Sequence, residues 1–134
     1  MSKVFRRKID CRSEQGQALT EFALAFPLLA LVLFAVIQFG IAFNNYVTLT
    51  DATRAGARKA AVARQLSNPT NACVTAVRSS ASDLNLSNLS SSCTSTWQPG
   101  ADVTVTATYP YSISLLGLVV KSGRLSSTTT ERVE

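Results

Sequence analysis

The 134-residue chain contains no histidine. That removes the one side chain whose ordinary titration falls between pH 5 and 8, and with it the commonest general base and metal ligand. Three cysteines and eight acidic residues remain, in no spacing that forms a nucleophile–base pair, a metal site or a glycine-rich phosphate loop. Neither an enzyme, nor a cofactor, nor a metal centre, nor a small-molecule substrate is expected. Charge is also missing where it matters: from Phe22 to Thr50 no side chain carries one. The net charge of +5 might suggest a nucleic-acid partner, but its distribution argues otherwise. Nine Lys/Arg and four Asp/Glu precede Gln65, and four of each follow it. The excess flanks the uncharged run and forms no basic face with interleaved aromatics, so no nucleic acid is expected as a partner.

What is present is the run itself, FALAFPLLALVLFAVIQFGIAF, at 22–43. A bilayer core of roughly 30 Å needs about 20 apolar helical residues, so this stretch is long enough for a single membrane pass. Lys3, Arg6, Arg7, Lys8 and Arg12 lie before it. Short segments rich in Lys/Arg stay in the cytoplasm, which predicts an N-terminus inside and the remainder outside. A secretory signal peptide fits poorly. Its apolar region runs roughly 7–15 residues and closes on a small-x-small site, whereas Phe43-Asn44-Asn45-Tyr46 follows here.

Glu21 stands at the leading edge of the run. A carboxylate well inside a bilayer costs about 2.5–3.5 kcal/mol and marks a functional position; at the headgroup level it costs little. A cut after Gly16 would give Gln17 a new α-ammonium group one helical turn from Glu21. Acid and amine at similar depths could then pair between neighbouring subunits and fix their register, weakly screened in lipid.

Gly16 followed by Glu21-Phe22 at the start of an apolar helix resembles the processing site of type IV pilin-like proteins. GQALTEFALAFPLLALVLFAVIQFG followed by DATRAGARKAAVAR resembles, more closely, the TadE-like family of the tight-adherence (Tad) pilus. A weaker likeness lies in DVTVTATYPYSI and LSSTTTERVE. The resemblance implies cleavage between Gly16 and Gln17 by a prepilin peptidase, with Glu21 as the acid at the fifth mature position. It also implies a role as a minor pilin or pseudopilin.

Beyond the run, Leu49, Ala52, Gly56, Ala60 and Ala63 share one helical face, opposite Asp51, Arg54, Arg58 and Gln65. This predicts an amphipathic continuation to about Gln65 with a thin stripe of small residues. At 1.5 Å per residue, a helix from Ala18 to Gln65 would run about 70 Å. Ser67-Asn68-Pro69 ends it. A short helix is expected over 71–82, then a loop over 79–96, which holds eight serines. Cys73 and Cys93 in an exported domain read as a disulfide, with Cys11 as a free thiol inside; a pair of buried free thiols is the competing reading. After Pro99-Gly100, Val103, Val105, Ala107 and Tyr109 alternate with threonines and predict a strand. Leu125–Val133 would pair with it antiparallel. The apolar segment ISLLGLVV at 113–120 is assigned foremost to the core, with a subunit interface or the membrane surface as alternatives.

The sequence therefore predicts an α+β protein: a leader at 1–16, a long transmembrane and stem helix at 17–66, and a small extracytoplasmic domain at 67–134 with an antiparallel sheet. The expected partners are the membrane, the prepilin peptidase, other Tad pilus subunits and their assembly platform. Expected localisation is the cytoplasmic membrane, with possible passage into a surface pilus. An uncleaved scaffold of a pilus or secretion machine is the rival reading, and a binding or sensor module on a stalk a more distant one.

Overall fold

The computed structural model describes residues 14–115 and 117–134. The basic leader up to Arg12, with Cys11, lies outside the described residues. The elements are α1 (Glu14–Ala61), α2 (Pro69–Ser80), β1 (Ser90–Thr94), β2 (Asp102–Leu115) and β3 (Leu118–Arg132). The architecture is α+β, as the sequence predicts. The chain divides into two compact units, Met1–Val36 and Ile37–Glu134.

Within the first unit the described residues are helical, and the apolar side chains point outward all round the helix. Leu19, Phe22, Leu24, Leu28, Leu29 and Val32 are all exposed. Pro27 lies inside α1, where it lacks the N–H that would bond the Ala23 carbonyl. A helix apolar on every side belongs in a core or a bilayer. This one is long and apolar enough to cross a membrane, and none of its most apolar window is covered by the rest of the chain.

In the second unit, α1 becomes the floor of a small domain. Leu49, Ala52, Gly56 and Ala60 are buried as a stripe, joined by Thr53 and Ala57, while Asp51, Arg54, Arg58 and Lys59 stay in solvent. Asp51 and Arg54 pair at 3.5 Å with both side chains largely exposed, worth only a few tenths of a kcal/mol. The helix stops at Ala61, short of the expected Gln65. The Ala63 N–H turns back to the Ala60 carbonyl at 3.0 Å, and the Ala61 carbonyl accepts the Glu134 N–H at 3.0 Å. A tertiary partner takes the place of helix continuation, which no local pattern could show.

Asn68 caps α2: its side-chain oxygen accepts the Asn71 N–H at 2.9 Å, with Pro69 in the first turn, the usual start chemistry. Cys73 and Val77 are the buried face of α2. Cys73 is bonded to Cys93 across a Cα–Cα distance of 6.4 Å, so α2 is covalently tied to β1. Residues 90–94, expected as loop, form that strand. Hydrogen bonding to β2 and the inward-facing, disulfide-held Cys93 outweigh the weak strand preference of a serine run.

The sheet is an antiparallel meander, β1-β2-β3. Val103, Val105 and Ala107 face α1 and are fully buried. The opposite face is hydroxylic, with Thr104–Thr130 and Thr106–Thr128 pairs at 3.4 and 3.1 Å across β2 and β3. β1 pairs only with residues 104–108, whereas β2 and β3 pair from Asp102↔Arg132 to Leu115↔Leu118. The outer edge of β3 pairs with no described strand. Gly117, with φ 84°, sits in the hairpin turn, a conformation that favours glycine.

The core assignment for 113–120 fails over 118–120, while Ile113 is half-buried. Leu118, Val119 and Val120 are 74, 65 and 63% exposed. The hairpin outruns β1.

Candidate functional site

The candidate site is the start of α1. Gly16, Gln17, Glu21 and Phe22 occupy its first described turns, and the chain's own side chains bind locally there. The Thr20 hydroxyl donates to the Gly16 carbonyl at 2.9 Å. The Gln17 amide donates to a Glu21 carboxylate oxygen at 3.1 Å, a helical i,i+4 contact. Residue 17 therefore lies directly over the acid. Glu21 is exposed, as is Phe22, whose ring lies 5.6 Å from that of Phe26 at a 39° tilt. One carboxylate thus sits at the rim of the apolar run, beside the side chains of Gln17 and Thr20. A partner helix meeting this surface would find broad apolar area and one point of charge.

Cys73 and Cys93 lie elsewhere, inside the distal domain, where they hold α2 against the sheet. They contribute to that domain's integrity. Among the described residues no three His, Cys, Asp or Glu side chains come together.

Sequence reasoning missed Thr53. It is fully buried, and its hydroxyl lies 2.8 Å from the Thr50 carbonyl and 3.1 Å from both the Ser127 and Thr129 hydroxyls. It is the polar link that sets the sheet on α1. A threonine between two alanine-rich turns gives no signal by itself; the inward period of Ser127 and Thr129 in β3 could have suggested a partner.

The chain thus combines one helix long and apolar enough to cross a membrane, with a single acid at its leading edge, and a small disulfide-tied α+β domain. Residues 16–58 match the family described as TadE-like protein. The matched segment holds Gly16, Glu21, the apolar run and Arg54–Arg58, the stretch whose sequence resembles that family. No curated protein and no solved structure matches the chain.

Proposed function

We propose that this protein is a minor pilin or pseudopilin of a Tad-type pilus, structural in role and without chemistry of its own. The observation that carries the reading is the TadE-like match across 16–58, which includes both Gly16 and Glu21. On this reading a prepilin peptidase cuts after Gly16 while the basic leader remains in the cytoplasm. The new terminus at Gln17 then places an ammonium group one turn from Glu21. Glu21 pairs with the amine of a neighbouring subunit, and the exposed apolar surface of α1 packs first in lipid and then among pilus helices. The distal domain stays on the far side of the membrane, where its disulfide persists, and primes, caps or decorates the filament.

The test is the N-terminus of the protein recovered from native membranes, by intact mass and N-terminal peptide sequencing, together with a Glu21→Ala variant. Processing predicts a chain beginning at Gln17 and loss of pilus assembly in the variant, with membrane insertion retained. An unprocessed N-terminus with assembly unaffected by Glu21→Ala would instead establish a membrane scaffold. A terminus beyond Phe43 would mean that the stem is a signal peptide.

A further inference from the structure

We propose that the exposed start of β3, Leu118–Val120, enters the lipid interface of the bilayer that α1 crosses, giving the domain a second membrane contact. The proposal rests on the reading of α1 as a membrane span and goes beyond the pilin assignment.

Three observations on the second unit carry it. The first is direction. The Glu134 N–H meets the Ala61 carbonyl, Ser127 and Thr129 meet Thr53, and Lys121 and Leu125 line a groove with Phe39, Ala42, Phe43 and Tyr46. Followed backwards, β3 therefore descends along α1 toward the apolar run. The second is depth. Asn44, Asn45 and Tyr46 are the first polar residues after that run, and tyrosine settles at the membrane–water boundary. Lys121 and its cross-strand partner Ile113 already lie beside Phe39 and Phe43. Leu118 is three residues further, about 10 Å at 3.3 Å per residue, on the lipid side of that boundary. Interfacial elements sit about 5–10 Å into the headgroup and acyl region.

The third is chemistry. Leu118, Val119 and Val120 are exposed and consecutive, and Lys121 and Arg124 follow them, also exposed. A short apolar tip with basic residues behind it matches an anionic lipid surface. The apolar groups enter the acyl boundary, and the long cationic side chains reach back to phosphate. The bulge between Ile113 and Ser114 lies at this level, and bulges bend a strand and raise its twist. The groove between hairpin and helix is lined by Phe39, Phe43, Tyr46, Tyr111, Ile113 and Leu125 around Lys121, an apolar wall suited to an acyl chain.

The test uses the full chain with Cys11→Ser, so that an added cysteine is the only free thiol beside the Cys73–Cys93 bond. A nitroxide is placed at Val119→Cys, at Leu33→Cys within the span, or at Thr128→Cys on the outward hydroxyl face. Each protein is reconstituted in vesicles of phosphatidylcholine with or without phosphatidylglycerol. Collisions with oxygen, which concentrates in lipid, are compared with those of a water-soluble nickel chelate. At Val119 oxygen collisions should exceed nickel collisions, as at Leu33, and the order should reverse at Thr128. Adding Lys121→Glu and Arg124→Glu should shift Val119 toward the Thr128 values in anionic vesicles. A wet Val119 beside a dry Leu33 would overturn the proposal and leave the span intact; a wet Leu33 would remove the span and the proposal together. A Val119 label shielded from both reagents and broadened by neighbouring labels would make the tip a protein–protein contact and overturn the lipid assignment.

Discussion

Gly56→Ala would make the domain less stable, although it replaces glycine by the best helix former inside a helix. Intrinsic propensity favours the change by about 1 kcal/mol. The surroundings oppose it. A Cβ at position 56 would overlap the Val77 Cγ2 methyl, and it would lie 3.4 Å from Val105 Cγ1 and 3.5 Å from the Cys73 carbonyl oxygen. Val77 is fully buried, and a valine in a helix has one strongly preferred rotamer. Nor can α2 slide away freely, because Cys73, one turn earlier, is bonded to β1. Overpacking of this kind costs about 1–3 kcal/mol. The expected net loss is up to about 2 kcal/mol after the propensity gain. For a folded unit of this size each kcal/mol lowers Tm by about 4–8 °C.

Trp97 provides the readout. It is the single tryptophan and packs against the core, so its fluorescence reports unfolding of the distal domain in detergent or nanodiscs. Val77→Ala in the Gly56→Ala background should restore room, making the double variant more stable than the two single losses predict by at least about 1 kcal/mol. A Gly56→Ala protein as stable as the parent, with additive behaviour in the cycle, would refute the claim that close approach at Gly56 limits this core.

Other consequences follow from the same packing. Replacing Cys73 and Cys93 together by alanine releases a constraint with a sequence separation of 20. It should cost about 3 kcal/mol in the chain-entropy account, read as a lower urea midpoint by Trp97 fluorescence. Thr53→Val keeps the shape but leaves the Ser127 and Thr129 hydroxyls without their partner on α1. It should cost about 1–3 kcal/mol, and a further Ser127→Ala should recover part of that loss; a neutral Thr53→Val would show that the hydroxyl cluster is dispensable.

Much of this architecture was legible because its signals are local and periodic. The uncharged run, the stripe from Leu49 to Ala63, the Asn68-Pro69 helix start and the Val/Thr alternation of β2 each declare their element within a few residues. What escaped depends on partners distant in sequence. The serines of β1 became a strand through β2 and the bond to Cys73, and α1 ended early because the Glu134 N–H occupies the Ala61 carbonyl. Leu118–Val120 were misread because apolar composition alone cannot tell a covered strand from one that outreaches its cover. At the candidate site, Gly16, Gln17, Glu21 and Phe22 stand together in sequence and so could be read directly. Thr53 could not, since its partners lie 74 and 76 residues away.

The meander has a further consequence for crowding. β3 is a strand of 15 residues whose outer edge pairs with no described strand, and such an edge can template another strand, a recognised route to aggregation. Copies confined to a membrane sheet and oriented alike would meet edge to edge far more often than molecules tumbling in solution. Lys121 and Arg124 on β3 oppose that encounter, because a second copy brings the same positive charges to the same edge; Arg132 is offset by its neighbour Glu131. Their repulsion is screened by salt, over about 8 Å at physiological ionic strength. Ionic strength therefore acts as a dial on lateral clustering of the domains, independent of any contact made by the stem helices.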